Sequence, residues 1–220
     1  MDLPTASQII SKNRVCAHGE VLTNQREVNA MLGLIQQETN RIESRFLEPA
    51  CGTGNFLAEI LERKFSVVDK CYRQCQVEWE RYAVLAVSSI YGIDILQDNV
   101  EHCRERLLRT FQNQYGRRFN GSIKLRCIDA VKFILRCNII RGDTLARTTI
   151  GTKPGHIILS EWTLVDGGML KRRTFTLQGL LALNNDPCTS TVAETTDDCS
   201  DPCAAKEFAP VHILELANAQ

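Results

Sequence analysis

Residues 46–56 read Phe-Leu-Glu-Pro-Ala-Cys-Gly-Thr-Gly-Asn-Phe, and this string constrains the fold more than any other part of the chain. Phe46-Leu47-Glu48 is a short β-compatible run, and Pro49 to Gly54 is a turn. Asn55 opens a helix whose apolar positions Phe56, Leu57, Ile60 and Leu61 recur at helical spacing. Gly52 and Gly54 carry no Cβ, so the backbone can bend sharply there and a ligand can approach closely. The first amides of the following helix lack partners within it and favour an acceptor such as a carboxylate or phosphate. A bare Gly-x-Gly also fits an ordinary tight turn, so the reading depends on what surrounds it.

The surroundings alternate. Asn24 or Thr23 caps a helix that begins near Gln25, with Val28, Met31, Leu32 and Ile35 on one face to about Thr39. A helix is expected from about Cys71 to Ser88, a buried strand at Ile90–Asp94, and a helix from Asp98 to about Tyr115. Ile128–Cys137 reads as helix, Asn138–Arg141 as a strand leading into Gly142-Asp143, and His156–Ser160 as another strand. Strands alternating with helices imply right-handed βαβ crossovers and a parallel sheet covered on both faces. In such a sheet ligands bind at the carboxyl ends of the strands, where Glu48 and Asp94 lie. After Ser160 the pattern changes: Asp166-Gly167-Gly168 is a turn between two β-compatible stretches, and predicts a hairpin. Asn184 to about Lys206 is rich in Ser, Thr, Asp, Cys and Pro and reads as a disordered or loosely attached tail. Val211–Leu216 is a candidate terminal element that docks back. The expected organisation is a helical segment over 1–40, one α/β domain over 41–183, and the tail over 184–220.

Composition limits the partners. The chain has 220 residues, enough for one domain with a real core, and 26 basic residues against 26 acidic ones. A dedicated nucleic-acid binder usually carries a basic excess, so a formal charge of zero argues against tight DNA binding by this chain alone. No run of about 18 apolar residues predicts a membrane span. The start, Met1-Asp2-Leu3-Pro4-Thr5, lacks signal-peptide features. A cytoplasmic location follows as the expectation, with the ten cysteines mostly reduced. Cys71/Cys75 and Cys199/Cys203 repeat a four-residue spacing that zinc sites use, but scattered free thiols explain it better, because nothing brings the two pairs together.

Four segments carry a resemblance. Leu47 to Phe56 resembles motif I of the amino-group DNA methyltransferases, especially the adenine-N6 class, in which this loop cradles the methionine part of S-adenosylmethionine. Arg14 to Thr23, containing His18-Gly19-Glu20-Val21-Leu22-Thr23, looks like motif X of that family, with Asn24 in place of its usual proline. Tyr91-Gly92-Ile93-Asp94 looks like motif II, whose carboxylate accepts from the ribose hydroxyls. Asn138 to Leu145 looks like motif III, in which Asp143 would accept from the adenine amino group. The resemblance spans residue 10 to about residue 180. It implies a Rossmann-like S-adenosylmethionine-dependent methyltransferase fold, a parallel sheet flanked by helices with a C-terminal β-hairpin. It also implies a cofactor site made by His18, Thr23, Glu48, Pro49, Ala50, Gly52, Gly54, Asn55, Phe56, Asp94, Ile95, Asp143 and Thr144. The group is that of modification subunits or methylases of bacterial restriction systems, and DNA is the implied substrate.

The chain departs from this family in one place. Adenine-N6 enzymes carry Asn-Pro-Pro-Tyr or Asp-Pro-Pro-Tyr after the fourth strand, where an amide or carboxylate polarises the target amino group and the ring stacks on the flipped base. Here Ser160-Glu161-Trp162-Thr163 stands at that point, and no Pro-Pro-aromatic occurs anywhere. Asn185-Asp186-Pro187-Cys188 is the nearest string, in the polar tail. Glu161 and Trp162 would be the catalytic pair if they take over the two roles. Otherwise both shape the hairpin, with Trp162 in the core. Two expectations remain open: a methyltransferase, acting alone or as the cofactor-binding subunit beside a partner methylase, specificity or restriction subunit; and a catalytically incomplete chain that docks such a partner. RNA or protein remains a substrate alternative. Lys171-Arg172-Arg173 would contact phosphates or protect a solvated strand edge.

Overall fold

The computed structural model describes residue 16, residues 23–185 and residues 206–218. Its first sheet is built from β1 (Phe46–Glu48), β2 (Ile90–Asp94) and β3 (Ile139–Asp143), all parallel, with β4 (Thr148–Thr149) antiparallel at the edge. β2 is central, pairing Phe46 with Ile90 on one side and Gly92 with Ile139 on the other. All five of its residues are buried, as a strand covered on both faces requires.

Helices fill the connections: α1 (Gln25–Leu34), α2 (Gln36–Thr39), α3 (Asn55–Tyr72), α4 (Gln76–Ser88), α5 (Gln97–Phe119) and α6 (Leu125–Asn138). Asn24 caps α1 in a full capping box with Glu27. The first helix is shorter than its apolar periodicity predicts, because Ile35 leaves helical geometry (φ −117°, ψ 30°) and α2 resumes after it. The expected helix at 71–88 is in fact two pieces. α3 runs on to Tyr72, the chain turns at Arg73–Cys75, and α4 begins at Gln76. The Tyr72 ring stacks on Tyr82 across that bend, with centroids 3.9 Å apart.

The helices enclose the main core, where Phe65, Trp79, Phe111 and Tyr115 form a continuous aromatic cluster. Lys64 is wholly buried where the chain enters β1 and β2. Its ammonium donates to the Ile42 carbonyl at 2.9 Å, to the Ser89 hydroxyl at 2.6 Å and to the Ser44 carbonyl, and it sits over the Phe46 ring. Burial lowers its pKa to about 7.

The His156–Ser160 stretch departs from expectation. β5 (Ile158–Val165) does not join the parallel sheet. It pairs with β6 (Met169–Thr176) in a second, antiparallel sheet that β7 (Lys206–Glu207) and β8 (Val211–His212) extend. His156 itself makes only an isolated bridge to Thr148. A parallel return needs a crossover, usually helical. The link from β3 to β5 contains only the β4 turn and a stretch with Gly151, Pro154 and Gly155, so the chain folds straight back. Ile157 lies over Gly142, where an added Cβ would stand 2.7 Å from Cδ1 of Ile157.

The predicted hairpin turn is present at Asp166–Gly168, with Gly167 and Gly168 both at positive φ. Ile157, Leu159 and Leu177 pack with Tyr91 and Ile93 on the second face of the parallel sheet, which β5 and α7 (Leu177–Asn185) therefore cover instead of crossover helices. Tyr91 donates its hydroxyl to the Ser160 carbonyl at 2.8 Å and fastens the two sheets together. The terminal element docks as expected, with Ile213 and Leu216 buried in the main core. Residues 186–205 lie outside the described residues, and with them Asp186, Pro187 and Cys188 of the Asn185–Cys188 string. Among the described residues no helix is long and apolar enough to cross a membrane.

Candidate functional site

The turn between β1 and α3 is left-handed at both glycines, with φ +51° at Gly52 and φ +83° at Gly54. Gly54 is the N-cap of α3, and its carbonyl accepts the first helical bond from Ala58 at 2.9 Å. The Cys51 amide donates to the Ile93 carbonyl at 2.9 Å, which docks the turn on the end of β2. Asp94 makes the second attachment: its Oδ2 accepts from the Gly52 amide at 2.9 Å. Its Oδ1 accepts from the Leu96 amide at 2.9 Å and from Asn99 Nδ2 at 3.3 Å. Asp94 is thus a buried carboxylate held rigidly, with one oxygen on the glycine turn and the other on the start of the next helix.

Each parallel strand ends in an acid. Glu48 ends β1, Asp94 ends β2 and Asp143 ends β3. Glu48 is half-buried; burial raises its pKa, and a hydrogen bond from the Ala50 amide opposes this in part. Asp143 turns its Oδ1 towards the Leu145 and Ala146 amides, at 2.9 and 3.0 Å, and shapes the β3–β4 turn. The Thr144 hydroxyl donates to the Pro49 carbonyl at 2.7 Å, so the β3 turn is tied directly to the glycine turn. Ile95 and Leu145 are exposed apolar side chains at the same edge, 38% and 95% accessible. Pro49 and Ala50 are exposed, and Phe56 packs against the main core.

Asn55 faces two ways. Its Nδ2 donates to the Thr23 carbonyl at 3.2 Å, and its Oδ1 accepts from Arg106. This brings the end of the N-terminal segment to the turn. His18 and the rest of that segment before Thr23 lie outside the described residues.

Three contributors were not among the expected site residues. Arg141 donates from Nε to the Ile95 carbonyl at 3.2 Å, and Asn99 supports Asp94. Cys103 lies directly beneath the turn, where it hydrogen-bonds Cys51. That bond, with burial, pushes the Cys51 thiol far up, so Cys51 is a neutral packing group. The available signals were the position of Asn99 in the first turn of α5, five residues after Asp94, and the apolar spacing that puts Cys103 on the core face of that helix.

Glu161 and Trp162 are not at this edge. They lie inside β5, and both are engaged. Trp162 is 4% exposed and donates from Nε1 to Asn138 Oδ1 at 2.9 Å. Asn138 in turn donates to the Ser88 and Ile90 carbonyls at 3.0 and 3.1 Å. Glu161 bridges Arg45 at 2.5 Å and Arg173 at 3.3 Å. The role that leaves Trp162 in the core is the one its placement matches. Trp162→Phe is expected to destabilise the fold by about 1–2 kcal/mol, by stranding the Asn138 acceptor, and to leave ligand binding at the glycine turn unchanged. Chemical denaturation and a parallel titration check both halves.

The three cations of β6 are likewise committed. Lys171 pairs with Glu207 at 2.7 Å and Arg173 with Glu161, while Arg172 donates to the Ser160 hydroxyl and stacks on Phe133, Trp162 and Phe208. Cys71 and Cys75 are exposed free thiols, and Cys199 and Cys203 lie outside the described residues. Among the described residues no cluster of three His, Cys, Asp or Glu could hold a metal ion. No protein-family model matches the chain, and no curated protein or solved structure matches it.

Proposed function

We propose that the chain binds S-adenosylmethionine at the 46–56 turn and is the donor-binding part of an adenine-N6 DNA methyltransferase. The observation that carries this reading is the bond from the Gly52 amide to Asp94, which fixes two left-handed glycines against an acid at the end of the central parallel strand. Neighbouring strands stand about 4.8 Å apart, so the acids of β1, β2 and β3 span about 10 Å, the reach of a nucleoside. An acidic rim suits this ligand. Its sulfonium is a cation that favours the charged form of half-buried Glu48, and its hydroxyl and amino groups are donors for Asp94 and Asp143. Ile95 and Leu145 offer apolar surface for the purine.

Titration calorimetry with S-adenosylmethionine tests the reading, with saturable binding expected. An absence of heat at high micromolar ligand would overturn it. A charge-assisted bond is worth about 1.5–3 kcal/mol, so Asp94→Asn, which keeps an acceptor for Gly52, should weaken binding by about tenfold or more. An unchanged affinity removes Asp94 from the site.

A second observation bears on catalysis. With Trp162 buried and Glu161 shared between two arginines, neither is available to a flipped adenine without rearrangement. This favours a chain that transfers the methyl group only with a partner polypeptide supplying an Asn-Pro-Pro-Tyr motif. Labelled-cofactor assays on DNA, with and without such a partner, distinguish this from an enzyme that acts alone. Transfer by the isolated chain would refute the partner requirement.

A further inference from the structure

We propose that the cavity between the first turns of α4, the Asp166–Gly168 turn and the chain at His212 is a binding site for a small organic acid, an anionic head on an apolar body. The cavity encloses about 450 Å³, within the range of small-molecule sites, and none of Glu48, Gly52, Asp94 or Asp143 lines it. Its apolar part is Val77, Ile213 and Leu214.

Its polar part has spare donors. His212 accepts from the Leu214 amide at Nδ1, 3.2 Å away, so the proton of the neutral ring sits on Nε2. Nε2 has no partner among the described residues and lies beside Gly168, where an added Cβ would be 3.4 Å away. Arg81 uses one Nη on Glu78 at 2.8 Å, and its Nε is buried with no hydrogen-bond partner among the described residues. A buried guanidinium nitrogen without an acceptor is costly unless something supplies one.

The lining also holds Glu80, but Lys124, Tyr115 and Gln76 already surround that carboxylate. Its charge is matched within the fold. Among the described residues Arg81 is held by a partly exposed pair with Glu78, which is worth little in water and can be exchanged for a ligand anion. The cavity therefore presents one exchangeable cation and two unused donor groups over an apolar base. A carboxylate with a short chain or ring satisfies both. A neutral amphiphile satisfies only the base, and a bare anion only the rim.

Octanoate is the probe, followed by calorimetry or by chemical-shift changes, with 1-octanol and acetate as controls. Saturable binding of octanoate is expected, weaker by about tenfold or more for 1-octanol, with no saturation by acetate. Arg81→Gln should cost octanoate about tenfold in affinity. Val77 is more than half exposed, so Val77→Trp fills the cavity without disturbing the core and should abolish binding at an unchanged thermal midpoint. S-adenosylmethionine titrations of both variants should match the parent chain, which separates this site from the glycine turn. No saturable octanoate binding, equal binding of 1-octanol, or full affinity in Val77→Trp would each overturn the proposal.

Discussion

Gly54→Ala is expected to lower the thermal midpoint by about 10 °C and to remove measurable S-adenosylmethionine binding. Two costs add. Gly54 sits at φ +83°, where an L-residue with a side chain pays about 1–2 kcal/mol. The new Cβ would also stand 2.7 Å from Cys103 Sγ and 3.4 Å from Cys103 Cα. Cys103 is wholly buried on α5 and has no free direction to move, so overpacking adds about 1–3 kcal/mol. Relief of either strain displaces the turn and breaks the register of the Gly52 amide with Asp94. Gly52→Ala provides the contrast. It has the same handedness but open space around its Cβ, so only the backbone cost of about 1–2 kcal/mol remains. In Gly54→Ala combined with Cys103→Ala, the packing part of the loss should be recovered and the backbone part should not. A single-variant midpoint equal to that of the parent would show that the turn is not held against α5 as described.

Lys64→Met is expected to destabilise the fold by about 2–4 kcal/mol and to flatten its stability between pH 7 and 8.5. The substitution leaves the Ser44 carbonyl without its donor, the Ile42 carbonyl with only the longer bond from the Ser89 hydroxyl at 3.3 Å, and the Ser89 hydroxyl without its lysine partner. The pH effect has a definite sign. Burial lowers the folded pKa to about 7, with Glu43 and Glu38 offsetting a little, while the unfolded lysine titrates near 10.5. Above pH 7 the folded state has released a proton that the unfolded state still holds. Stability therefore rises with pH through this window, by about 1.4 kcal/mol per unit at most, and is flat below it. A neutral amine keeps two N–H groups, enough for both carbonyls, while the Ser89 hydroxyl retains its bond to the Ala86 carbonyl. Above about pH 8.5 the buried thiols oppose the trend. Cys51 and Cys127 are raised by their surroundings and stay neutral in the fold, while unfolded thiols ionise. Urea denaturation of parent and variant at matched pH isolates the lysine contribution. Parallel pH profiles would exclude it.

Local chemistry made much of this molecule legible. The glycine turn, the β2 strand, the α5 and α6 helices and the Gly167-Gly168 hairpin turn each follow from spacing, backbone freedom or apolar period within a few residues. The acids at the strand ends could be named because a parallel strand places its last residue at the ligand-binding edge. Lys64 was not legible: on a helix it reads as an ordinary solvated cation, and only the approach of the Ile42 and Ser44 carbonyls makes it a buried hub. The partners of Cys103 and Asn138 were not legible for the same reason: core spacing places Cys103 inside and Asn138 reads as the start of a strand, but Cys51 and Trp162 are more than twenty residues away.

The hairpin marks the boundary most clearly. The sequence points to a strand at His156–Ser160 and to β-compatible stretches on either side of Asp166-Gly167-Gly168, but a period of two does not say which face meets the core or which sheet a strand joins. Those were decided by the short, helix-free link after β3, by Ile157 settling over Gly142, and by Asn138 capturing the Trp162 indole. By itself the sequence determined the sharp turn at Gly52 and Gly54, because that depends on backbone freedom within a few residues. Tertiary structure alone decided that the turn is clamped by Asp94, underlain by Cys103 and tied to Thr144, because each partner is more than forty residues distant and only packing brings it within hydrogen-bond reach.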